Sequence, residues 1–237
     1  MKITKRTSYN TGRITARPGK SNHASSSPTG LLPLGFDPQK DGWLYVPPTY
    51  SASQPVSVAV MLHGSGGNAE QGMSLLRHYA DAYQLLLVAP ASRKYTWDII
   101  TDDAFGPDVL FINQALELVF ENYAVDSSHI ALGGFSDGAS YALCVGLTNG
   151  DLFTHLMAFS PGFSFTRERN GTPAVFLSHG VQDPVLPIDP CGRRIVPQLQ
   201  KQGLAVEYLE FEGGHEIPAF VSQRAMDWFS PPQSNAS

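Results

Sequence analysis

The feature that most constrains this chain is an alternation. Short, almost unbroken apolar runs are separated by longer segments whose apolar residues recur at helical spacing. The runs are GWLYVP (42–47), VSVAVML (56–62), QLLLVAP (84–90), HIALGG (129–134), THLMAFS (154–160), AVFLSHG (174–180) and AVEYLEF (205–211). A strand that is apolar on both sides has to be covered on both faces, which is the situation of a parallel sheet between helical layers. The intervening segments predict the helices. They are 69–84 with Met73, Leu76 and Tyr79 in register, 107–124 entered at Pro107 and Asp108, 137–149, 193–203 interrupted by Pro197, and 218–229. This order argues for one open, mostly parallel sheet with helices on both faces.

Composition narrows the class. The chain has 237 residues, 42% hydrophobic and 16% charged, with a formal net charge of −5. That suits one globular α/β domain and gives no basic surface for nucleic acid. No run approaches the roughly 18 apolar residues of a membrane-spanning helix. Residues 1–36 carry six Lys or Arg and no acid. They read as a solvated segment that joins an edge strand, with a transit peptide as the alternative. The reading is thus an N-terminal segment over 1–41, partly irregular, the main α/β domain over 42–230, and a flexible tail over 231–237. Cys144 and Cys191 lie in no CxxC or His-rich cluster, so no metal is expected, and the default setting is reducing and cytoplasmic.

In sheets of this kind, sites form at the carboxyl ends of strands. Four ends carry polar residues. HGSGG (63–67) follows the second run, FSDG (135–138) the fourth, VQDP (181–184) the sixth and EGGHEIP (212–218) the last. A serine, an aspartate and a histidine therefore stand at three strand ends in the chain order Ser136, Asp183, His215. Gly134-Phe135-Ser136-Asp137-Gly138 is a G-x-S-x-G between a strand and a helix, the setting of a nucleophile elbow. A plain glycine-rich turn, a turn aspartate before Pro184 and a structural loop histidine are the bland readings of the three positions. Their joint placement favours chemistry. His63 reads as structural, and the Asp137 side chain as pointing away from the serine.

With these residues in view, the chain resembles an α/β-hydrolase of the phospholipase/carboxylesterase type, which includes lysophospholipase-like and acyl-thioesterase-like enzymes. The resemblance runs from about Gly42 to Phe229 and rests on LHGSGGN, GGFSDGASYAL, SHGVQDPVLPI and FEGGHEIP. It implies an α/β-hydrolase fold without a large lid domain. Ser136 would be the nucleophile, His215 the base and acid, and Asp183 the residue orienting the imidazole. The backbone amides of Ser65 and Asp137 would form the oxyanion hole. Gly66, Trp97, Phe135 and Phe163 are the candidates for contact with substrate. The expected activity is hydrolysis of small to medium carboxylic esters through an acyl-enzyme, without cofactor. The alternatives are a lysophospholipase or acyl-thioesterase and, in another class, a non-catalytic ligand-binding protein on the same fold. The expected partner is a small ester, with no stable membrane insertion and no oligomeric state assigned.

Overall fold

The computed structural model describes residues 9–19 and 27–229; the expected tail over 231–237 lies outside them. Eight strands and six α-helices follow in order. Strands β1 (Gly30–Pro33), β2 (Gly42–Val46) and β3 (Val56–Leu62) precede helix α1 (Ala69–Ser74) and a 3₁₀ turn at Arg77–Tyr79. Strand β4 (Leu85–Pro90) leads to α2 (Asp98–Thr101) and α3 (Pro107–Asn122). Then come β5 (Val125–Phe135), α4 (Asp137–Thr148), β6 (His155–Phe159), β7 (Ala174–Gly180), α5 (Gly192–Lys201), β8 (Val206–Phe211) and α6 (Ala219–Phe229). The sheet order is β1-β2-β4-β3-β5-β6-β7-β8. The first two pairings are antiparallel and the rest parallel.

Period-two alternation divides the core between the two faces. From β3, Val58, Val60 and Leu62 join α3, α4 and α5 on one face, while Ala59 and Met61 join α1 and α6 on the other. Helix α4 is buried from Gly138 through Thr148, so it runs through the core rather than over it. Pro197 sits inside α5 without ending it.

Three local features differ from the sequence expectation. The helix expected over 69–84 stops at Ser74 and resumes as a 3₁₀ turn. Leu76 leaves helical geometry at φ −131°, and this lowers Tyr79 onto α6, where its hydroxyl meets Ala219 O and Ser222 Oγ. Strand β1 lies in the partly irregular segment over 1–41 and belongs to none of the apolar runs; it alternates half-buried and exposed positions and ends in Pro33, features of a sheet edge. The short helix α2 carries no pattern long enough to read.

Residues 9–19 lie against α3 and α4 rather than in solvent, with Ile14 and Ala16 in the core. Two buried asparagines hold them. Asn113 Oδ1 accepts the amides of Thr15 and Ala16, at 2.7 and 2.9 Å. Asn149 accepts the Ile14 amide and donates to Gly12 O, at 2.8 and 2.7 Å. Arg13 and Arg17 both reach Asp151 at the surface. The hydrogen bond from Arg13 leads the interactions that hold the Asp151 carboxyl down at about 2. Asn149→Ala strands a buried amide and a carbonyl, so it is expected to cost about 1–3 kcal/mol. Urea denaturation would read the loss, and amide exchange at Ile14 would localise it.

Candidate active site

Ser136 links the end of β5 to the start of α4 with φ 56° and ψ −118°. An L-residue with positive φ is strained, and it persists only where its surroundings hold it. Here the Ser136 amide donates to Phe159 O of β6 at 2.9 Å. The flanking glycines are required by close approach. A Cβ on Gly138 would lie 2.3 Å from Leu62 O, and one on Gly134 would lie 2.6 Å from Leu62 O and from the Gly138 carbonyl carbon. The first turn of α4 thus sits directly on the end of β3.

The ends of β7 and β8 bring in the partners. His215 Nε2 stands 2.8 Å from Ser136 Oγ, and His215 Nδ1 stands 2.6 Å from Asp183 Oδ2. The other carboxylate oxygen, Oδ1, accepts the amides of Val185 and Leu186 at 2.9 and 2.8 Å. Burial pushes the Asp183 carboxyl up. The hydrogen bond from His215 and the two amides more than offset this, leaving it below its ordinary value. Asp183 therefore stabilises the fold above the unfolded carboxyl value of about 3.9, and that contribution is lost as pH falls through its lower folded-state value.

The loop after β3 forms the opposite wall. The amides of Gly66 and Gly67 bond to Tyr95 O and Gly64 O, while Gly64 and Ser65 line a cavity of about 480 Å³ that opens onto Ser136 and His215. His63 is a buried support for this loop. Its Nε2 accepts the Ser92 amide at 3.0 Å, so its Nδ1 carries the proton and donates to Gly64 O at 2.7 Å. The Asp137 carboxylate accepts Thr96 Oγ1 at 2.8 Å, away from the histidine.

Four side chains were candidates for substrate contact, and the structure separates them. Phe135 lines the cavity with its ring 4.6 Å from that of His215. Trp97 does not line it. Its ring is fully buried, stacked on Tyr141, and its Nε1 donates to His63 O at 2.9 Å. Phe163 packs half-buried against the core on the α4 side. Gly66 has φ +67°, and a Cβ there would meet the Tyr95 ring, so it serves the loop's turn. The sequence reading did not single out Gln71, Leu75 and Val185, which line the cavity. Gln71 lies within α1 and Leu75 caps its end. Val185 is 61% exposed, which nothing in the sequence around Asp183 discloses.

A second carboxylate pair braces the segment behind the wall. Asp98 Oδ2 accepts the Gly106 and Asp108 amides, and Asp108 accepts those of Asp98 and Arg93. Burial, and then the Asp98 charge, push Asp108 up to about 6.

The fold and this strand-end arrangement define an α/β-hydrolase. Solved structures with the same architecture include an esterase named PE8, at TM-score 0.63 and 21% identity over 78% of this chain and 97% of that one. Another is an S-formylglutathione hydrolase from Staphylococcus aureus, at TM-score 0.67 and 16% identity over 88% and 99%. At the level of sequence, the pattern of the phospholipase/carboxylesterase family matches residues 110–228, and the chain belongs to that family. It is 30% identical over 154 residues to a probable feruloyl esterase C from Aspergillus oryzae, covering 62% of this chain. The match spans 56% of that relative's own length.

Gly138→Ala drives a methyl into the backbone of β3 and is expected to cost about 1–3 kcal/mol or more, with loss of the serine's geometry. Gly106→Ala is the control, because its methyl would meet nothing closer than 3.5 Å. Thermal melts of the two proteins would separate them.

Proposed function

We propose that this chain is a serine hydrolase of carboxylic esters acting through an acyl-enzyme. The observation that carries the reading is the unbroken relay from Ser136 Oγ through the His215 ring to Asp183, with contacts of 2.8 and 2.6 Å. Ser136 attacks the ester carbonyl as its proton passes to His215 Nε2. The carbonyl oxygen becomes an oxyanion, for which the backbone amides of Ser65 and Asp137 are the donors; Asp137 also opens α4, whose dipole adds to the same field. The alkoxide leaves with the proton from His215. Water then repeats the sequence, releasing the acid and restoring the serine. Asp183 holds the ring with Nδ1–H toward it and stabilises the imidazolium in both halves.

The substrate class follows from the cavity. A groove of about 410 Å³ continues past Leu75, Phe135 and His215 toward Ile217 and Ala219. It shares those first three residues with the cavity over Ser136, and together the two offer a small ester an apolar path. The resemblance to a feruloyl esterase supports a second reading within this class, an aromatic acyl ester resting against Phe135. Lysophospholipids and acyl-thioesters remain the competing substrates for the same relay. Two buried, unpaired cysteines agree with a reducing, cytoplasmic setting. Among the described residues no helix is long and apolar enough to cross a membrane.

A nitrophenyl ester is expected to give a burst of nitrophenol equal to the enzyme concentration, absent in Ser136→Ala. Equal turnover by wild type and variant would remove the reading. Asp183→Asn is expected to lower kcat by about 10⁴-fold. Because the His215 contact and the two amides hold the Asp183 carboxyl below its ordinary value, the pH–rate profile is expected to show no carboxyl step across the neutral range, and such a step assigned to Asp183 would count against its role. Rates on methyl ferulate, nitrophenyl butyrate, a lysolipid and an acyl-thioester would rank the substrates.

A further inference from the structure

The acid of the relay has a second histidine behind it. His179, on β7, is completely buried, and its Nε2 lies 2.7 Å from Leu186 O and 3.4 Å from Asp183 Oδ2. A carbonyl only accepts, so Nε2 must carry a proton. That N–H fixes the carbonyl of Leu186, and the amide of the same residue donates to Asp183 Oδ1. The oxygen it stands beside is the one that receives the His215 ring. The acid is therefore connected through Leu186 to a buried imidazole whose Nε2 also lies near its other oxygen.

The surroundings of His179 keep it in that form. Nδ1 is buried and has no hydrogen-bond partner among the described residues. A Cβ on Gly192 would lie 3.0 Å from Nδ1 and 2.9 Å from the Tyr208 hydroxyl, so a side chain at 192 would crowd both. A second proton on the ring would place a donor there with nothing to receive it. Burial leads in favour of the neutral ring, with His215 on the same side, and outweighs Leu186 O, Asp183 and Glu210, which favour the charged form.

We propose that His179 is a positioning residue for the proposed hydrolysis: its Nε2–H holds the 183–186 turn so that Asp183 faces His215. The inference rests on the catalytic reading above. Its effect is felt when His215 becomes an imidazolium, because a loosely held carboxylate stabilises that cation less. Binding of the ester, which occurs on the other side of His215, is not involved.

Two variants separate the hydrogen bond from mere packing. His179→Leu fills much of the space without a donor. His179→Gln can place its amide N–H where Nε2–H stands. For the leucine variant, kcat is expected to fall about tenfold, the scale of one ordinary hydrogen bond, with KM within about twofold. The acid limb of its pH–rate profile is expected to move to lower pH, because the cation has lost support. The glutamine variant is expected to recover both quantities toward wild type. A leucine variant that matches wild type, or a glutamine variant as impaired as the leucine one, overturns the proposal. Should the leucine variant fail to fold, long-range proton–nitrogen NMR of the wild-type protein decides. The expected spectrum has the His179 proton on Nε2, whereas a proton on Nδ1 overturns the proposal. This measurement needs no turnover, so it stands apart from the Ser136→Ala test of the catalytic reading.

Discussion

The structure depends on a contact with no side chain in it: the first turn of α4 resting on the last carbonyls of β3. Leu62 O would be 2.3 Å from a Cβ on Gly138 and 2.6 Å from one on Gly134. Because both positions lack that atom, β5 can turn into α4 within one residue. That residue is Ser136, held at positive φ with its side chain free of the turn. The strain at a residue of this kind is typically about 1–3 kcal/mol, and it persists because helix packing on the sheet over-determines the backbone. Helix α4 is buried over almost its whole length, so the strained turn is anchored by the densest part of the core.

Given that anchor, the parallel sheet supplies the rest. Strands β3, β5, β7 and β8 all point the same way, so their carboxyl ends share one edge. Residues 47 and 79 positions away from Ser136 along the chain meet there without any long ordered insertion. The loops are fixed by different means on the two sides. The acid turn hangs from β7 by amides and a buried imidazole. The glycine loop rests on His63, Trp97 and the Ser92 amide. Neither side depends on a surface ion pair, which would contribute little in water.

How far the amino-acid sequence disclosed this follows from the same physics. Strands buried on both faces announce themselves as apolar runs, and β2 to β7 are of that kind over their apolar stretches, whereas β8 is mostly half-buried with only Phe211 inside. Strand β1 is a four-residue edge that begins with a glycine and ends with a proline, with Leu31 and Pro33 exposed, and so it resembles loop. The segment after β3 carries helical spacing through Tyr79, but tertiary packing on α6 breaks it at Leu76, and propensity does not report such a break. Ser136, Asp183 and His215 were readable because strand ends in a parallel sheet converge. Trp97 was not, because an aromatic residue after a strand can face a cavity or the core, and only its hydrogen bond to His63 O decides between them. His179 was quoted inside an apolar run; nothing local distinguishes a packed histidine from one that holds a carbonyl.

The two buried acid systems also show why a displaced pKa does not by itself mark a catalyst. Asp108 is pushed up to about 6, whereas the Asp183 carboxyl is held below its ordinary value. Yet Asp108 accepts two backbone amides and faces another carboxylate, so its protons and lone pairs serve to close the 93–108 segment. Asp183 lies below its ordinary value, as an acid must if it is to meet a cation. What separates them is the partner. Asp183 faces an imidazole beside a hydroxyl, whereas Asp108 faces two backbone amides and the Asp98 carboxyl. In this protein the direction of the shift and the identity of the neighbour carry the chemical meaning, and burial together with the Asp98 charge accounts for the raised Asp108 carboxyl.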